Sequence, residues 1–136
     1  MAQRDLQTIT AFASDKQRLR KAIMTVRLTI GGAGLVAPRL VAWLFGVGAP
    51  KGSAVTPVLR MFAVREALMA YQLYQAPEEE LEEVLRQGIV VDSIDLAVAL
   101  AAFARGDVGF RTFVTTAAAA GSVAAAGYAA RPGLDA

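Results

Sequence analysis

Four apolar stretches follow one another along this chain, each interrupted by ionisable residues, and no feature constrains the fold more. They cover residues 22–45, 54–76, 89–104 and 108–130. A bilayer core of about 30 Å needs about 20 apolar residues in a helix. The first, second and fourth stretches satisfy that. The third does so only if its helix begins before Gly88. Hydrophobic residues make up 55% of the 136 positions and charged residues 19%, with a mean hydropathy of +0.43. A water-soluble core of this size cannot absorb that excess. Ala, Val and Leu dominate, and no stretch alternates with period two, so helix is expected throughout. The expected fold is all-α: one domain, a bundle of four transmembrane helices with short interfacial helices.

Punctuation marks the connections. Pro38 predicts a kink in the first stretch, which contains LTIGGAGLVAPRLVAWLFGV. Gly46, Gly48, Pro50 and Gly52 predict a loop, and Pro57 suits a first helical turn. Arg105, Gly106 and Asp107 predict a tight turn, and RPGLDA a polar tail. Residues 2–13 place Leu6, Ile9 and Phe12 or Ala13 on one face, as in a short amphipathic segment lying on a membrane. Ser14 with Gln17 resembles a capping box and predicts a new helix there. Residues 77–87, PEEELEEVLRQ, predict a separate acidic surface helix, with Gly88 as the break.

Several chemistries are excluded by composition. With no cysteine and no histidine, there is no thiolate nucleophile, no disulfide and none of the commonest metal or haem ligands. No metal site or cofactor is expected. A net charge of +2 without a basic stripe gives no reason to expect nucleic acid. The predicted partners are membrane lipids and a lipophilic small molecule; a homo-oligomer or larger membrane complex stays open. Five of the Lys and Arg residues lie within the first 21 positions, and Lys51 alone follows the first stretch. Positive residues stay on the cytoplasmic side, so both termini are expected inside a cell (inner, cytoplasmic) membrane that the chain crosses repeatedly.

The charges inside the stretches are the candidate site. A charge near mid-membrane costs roughly 2.5–3.5 kcal/mol on insertion scales, so these must face one another or reach an interface. At about 1.5 Å per residue, Arg27 and Asp92 lie at similar depth, as do Arg65, Glu66 and Asp95. Asp92 and Asp95 are three apart and share a face. The expected pairs are Arg27–Asp92 and Arg65–Asp95. Glu66 is then left over, and desolvation favours its neutral, proton-donating form. Catalytic candidates are therefore Glu66, Asp92, Asp95 and Arg65; binding candidates are Arg27, Arg39 and Arg60. Arg39 and Arg60 have no carboxylate at their depth except Asp107, and either snorkel to head groups or bind an anionic group. Arg27, Gly31, Gly34 and Pro38 share one face, suited to close helix packing or to a groove beside the arginine. Ala117, Gly121 and Ala125 repeat at four-residue spacing, as packed membrane helices do.

Residues 60–68, RMFAVREAL, resemble an Arg-x-x-Gly-x-Arg-Glu pattern, and residues 91–95, VDSID, an Asp-x-x-Asp pattern on the next helix. Together they resemble small four-helix integral membrane proteins of actinobacteria, loosely DoxX-like, over about residues 22–110. Ala63 stands where that pattern has Gly. The resemblance implies the membrane fold and no particular activity. The residues leave three functions open: acid–base catalysis of the cyclase or isomerase type on a terpenoid- or polyketide-like substrate, a non-catalytic accessory subunit, and a proton-coupled carrier.

Overall fold

The computed structural model describes residues 2–132, without the side chains of residues 2–10 and 12. Among the described residues there are five helices and no strand: α1 (Ala2–Val36), α2 (Pro38–Leu44), α3 (Val55–Gln75), α4 (Leu81–Ala104) and α5 (Phe110–Ala129). The all-α expectation holds. The face of Leu6, Ile9 and Phe12 and the end of the polar tail lie outside the described residues.

Three boundaries differ from the sequence expectation. Pro38 breaks the first stretch rather than kinking it. Its ring disfavours helix in the preceding residue, and Ala37 sits at φ −130°, ψ 59°. The Ala37 carbonyl then accepts from the amides of Leu40 (3.0 Å) and Val41 (3.2 Å), which restarts the helix as α2. There is no boundary at Ser14. Its hydroxyl donates back to the Ala11 carbonyl at 2.7 Å inside a continuous α1, so it does not cap. Nor is there a break at Gly88. The turn is confined to residues 78–80, and α4 runs unbroken from Leu81. A helical glycine costs only about 1 kcal/mol, and at Gly88 the missing side chain makes room: a Cβ there would lie 3.4 Å from Arg27 Nη2.

The helices pack as two antiparallel pairs. Going up α1 means going down α3, because Arg27 meets Glu66 while Gly34 meets Ala63 and Leu59. This contact is backbone-close. A Cβ on Gly31 would lie 2.9 Å from the Ala63 carbonyl oxygen and 3.0 Å from the Ala67 nitrogen. The face of Arg27, Gly31, Gly34 and Pro38 is buried throughout, so it packs a helix rather than opening a groove. The second pair joins α4 to α5 through the turn at Arg105, Gly106 and Asp107. Phe103 stacks on Phe113 at 4.8 Å near that turn, and Gly127 packs on Ile89 at the far end. Small-residue packing in α5 therefore runs through the buried Ala120 and Gly127. Gly121 has open space where a Cβ would be, and Ala125 is exposed.

Each end of the bundle is tied. At the α2 end, Arg111 donates to the Trp43 carbonyl (3.1 Å), Thr112 to that of Gly46 (3.1 Å) and Thr115 to that of Phe45 (3.2 Å). At the other end Ile23, Leu73, Leu81, Leu85 and Ala130 form an apolar cluster. Arg131 Nε donates to Glu82 at 2.6 Å beside it.

Large apolar side chains are exposed while three charged ones are buried among the apolar core. Arg27, Glu66 and Asp92 are buried, at 4–5% exposed, while Val36, Met61, Trp43 and Val98 are 60–86% exposed. One described helix, α4, is long and apolar enough to cross a membrane, and 11% of its most apolar window is buried. A break at Ala37 divides the first stretch, α3 carries Arg60, Arg65 and Glu66, and α5 is diluted by Gly, Ser and Thr.

Candidate functional site

The buried charges lie in the seam where the two helix pairs meet. Arg27 on α1 reaches across it as a fork. Its Nη1 donates to Glu66 Oε2 of α3 and its Nη2 to Asp92 Oδ2 of α4, both at 2.6 Å. These three side chains are at most 6% exposed. Met69 Sδ lies 3.7 Å from the same Nη1. Arg65 forms a second fork one turn along. It donates to both oxygens of Asp95, to Oδ1 at 3.1 Å and more closely to Oδ2. Its Nη2 also donates to Glu66 Oε1 at 3.2 Å. The guanidinium lies over the Phe62 ring, 4.7 Å from its centre, and Nε is buried with no acceptor among the described residues.

The expected pairs Arg27–Asp92 and Arg65–Asp95 are both present. The role expected for Glu66 is not. Glu66 is no leftover acid: one oxygen accepts from Arg27 and the other from Arg65, so it is the carboxylate that joins the two forks. Three carboxylates still face two guanidiniums, so one negative charge remains uncompensated. It falls on Asp92. Among the described residues, only one oxygen of Asp92 accepts a hydrogen bond.

The cluster forms one wall of a cavity of about 270 Å³ between the pairs. Glu66, Asp92 and Asp95 contribute oxygens, and Thr112 and Thr116 of α5 add hydroxyls. Most of the remaining wall is apolar, including Ile30, Phe62, Val98, Ala99 and Phe113. At about 30 Å³ per liquid water, the space matches about nine waters. That volume suits a small organic molecule and excludes a whole phospholipid. Among the described residues no group of three or more carboxylates is arranged to hold a metal ion.

Arg39 and Arg60 are not part of the cluster. Both are exposed, and neither has an ion pair or hydrogen bond among the described residues. Asp107, the carboxylate expected at their depth, binds Arg105 at 3.0 Å instead. Charge alone does not reveal Phe62, Met69, Gly88, Thr112 or Thr116. Spacing would have found three of these: Gly88 is four residues before Asp92, Phe62 three before Arg65 and Met69 three after Glu66, each on the same helix face. Compared with known proteins, the chain matches no protein-family model, no curated protein and no solved structure.

Proposed function

We propose that the chain is an integral membrane bundle in which α1 with α2, α3, α4 and α5 form four spans, and that its cavity performs acid–base chemistry on a small lipophilic molecule. The observation that carries this is an apolar cavity walled on one side by three carboxylates, inside helices that are apolar on the outside. Buried ionisable groups in a membrane bundle are expensive and mark functional sites by default. The resemblance of residues 60–68 and 91–95 to small actinobacterial membrane proteins supports the same placement, with both termini inside.

The chemistry is a proton relay. Asp92, with one oxygen free of donors, holds the cluster's proton and gives it to a double bond or an epoxide oxygen of a terpenoid- or polyketide-like substrate. Asp95, ionised against Arg65 and 26% exposed, takes a proton from another carbon of the same molecule. One proton enters and one leaves, so the product is an isomer or a ring-closed form of the substrate, and no oxidant is required. Arg27, Arg65 and Glu66 hold the two aspartates in place.

Lipid extracts from cells producing the parent chain are expected to contain an isomer, equal in mass and shifted in retention, that Asp92→Asn abolishes while that variant still purifies intact. Identical extracts from parent and variant refute the catalytic reading. Placement is tested separately. The chain has no cysteine, so Lys51→Cys is expected to react with an impermeant maleimide from outside intact cells, and Glu79→Cys only after permeabilisation.

A second reading has its own observation. The cluster joins α1, α3 and α4 by buried ion pairs, which is bracing of the kind a non-catalytic subunit would need. Buried ion pairs serve this purpose in some proteins. If Asp92→Asn fails to fold or assemble, bracing is the cluster's role.

A further inference from the structure

We propose that a path runs from the acidic surface at Glu80 and Glu83 to Asp92, past Gln72, Gln87 and Gly88, and resupplies the proton that Asp92 gives up, while the partly exposed Asp95 releases to solvent the proton it took from the substrate. This rests on the acid–base reading above and adds the side from which the acid is recharged.

Three spaces adjoin one another along the path. The outermost, about 400 Å³, is an open groove lined by Tyr71, Gln75, Glu80 and Glu83 together with Gln72, Val84 and Gln87. The last three also line a second space of about 100 Å³, whose far wall is Arg27, Gly88 and Asp92. Arg27 and Asp92 in turn line the apolar cavity. The Arg27–Asp92 pair therefore stands between the second space, whose wall is otherwise largely apolar, and the substrate cavity. The middle space has room for about three waters at about 30 Å³ each. Two side-chain amides flank it, each able to donate and to accept. Gln87 Nε2 already donates to Glu83 Oε1 at 3.0 Å, which links the amide to the acidic rim. Gly88 lines the middle space beside Arg27 Nη2 and Met69, which a Cβ there would meet at 3.4 and 3.8 Å.

The charged groups around Asp92 come from three helices: Arg27 from α1, Arg65 and Glu66 from α3, and Asp95 from α4 itself. From α5, the residues lining the second space are Val123 and Gly127, which do not titrate. The side of Gln72 and Gln87 therefore offers Asp92 an approach from the acidic surface. The opposite side leads only into the mostly apolar cavity.

Infrared spectroscopy of the full chain in lipid nanodiscs, transferred from H₂O to D₂O, tests the path without a substrate. A carboxylic acid C=O band lost in Asp92→Asn and kept in Asp95→Asn is expected. Its deuterium shift is expected to slow about tenfold, the effect of about 1.4 kcal/mol on a barrier, in Gln72→Leu/Gln87→Leu. The control Thr112→Val/Thr116→Val, on the far side of the cavity, is expected to leave the rate unchanged. A band that exchanges at the parent rate in the glutamine variant overturns the path alone. The absence of any Asp92 acid band overturns the acid–base reading and the path together.

Discussion

Replacing Arg27 by Met removes the only group that bonds to both Glu66 and Asp92. Both bonds are 2.6 Å long, and their carboxylate side chains are 5% and 6% exposed. Removing one partner of a buried pair costs about 3–5 kcal/mol, because the other charge stays behind in low dielectric. The loss here is asymmetric. Glu66 keeps its bond from Arg65 at 3.2 Å, whereas Asp92 keeps none. Arg65 would also face three carboxylates alone. At about 3 °C per kcal/mol for a chain of this length, the midpoint of thermal unfolding falls by about 10–15 °C. Adding Asp92→Asn takes one carboxyl group out of a cluster left with a single guanidinium and is expected to recover about half of that fall. Thermal scans in detergent micelles, followed by circular dichroism, give both numbers. If Arg27→Met melts within a few degrees of the parent, the fork is not a structural tie. If the double variant melts no higher than Arg27→Met, the cost was lost packing rather than an excess of carboxyl groups over guanidiniums.

Further expectations concern neighbouring positions and use the same thermal scan. Gly31→Ala places its Cβ 2.9 Å from the Ala63 carbonyl oxygen, so α1 and α3 must separate, at a cost of about 1–3 kcal/mol. Gly32→Ala, with nothing within 4 Å, is expected to stabilise by about 0.4–1 kcal/mol, since it restricts the unfolded chain and fits the helix. Gly46→Ala is destabilising by more than that gain, because φ is +72° and the new methyl would meet Arg111 Cγ at 3.0 Å. Arg39→Gln and Arg60→Gln change stability by no more than about 0.5 kcal/mol, as exposed side chains without partners do.

Much of the cluster was legible before any coordinates. Asp92 and Asp95 are three apart, and Arg27 and Arg65 lie at matching depths, so the two principal pairs follow from helix geometry and the cost of an unpaired charge. Glu66 was misassigned for an identifiable reason. Depth matching pairs charges one to one, whereas a guanidinium has five N–H donors and can serve two carboxylates. The sequence also suggests breaks at Ser14 and Gly88 that do not form. Capping residues and glycines only bias a helix by about a kcal/mol, and packing of Gly88 against Arg27 outweighs that bias.

The order of helices, the apolar exterior and the set of charges that must meet inside are properties of the sequence, because each depends on local periodicity or on the solvation cost of a single side chain. The particular bonds are not. Which oxygen receives which guanidinium, which aspartate is left with one oxygen free, and where the cavity opens depend on how closely two helix pairs approach. That approach is set by contacts such as Gly31 on Ala63 and Gly127 on Ile89, between residues far apart in the chain. Tertiary structure alone brings them together.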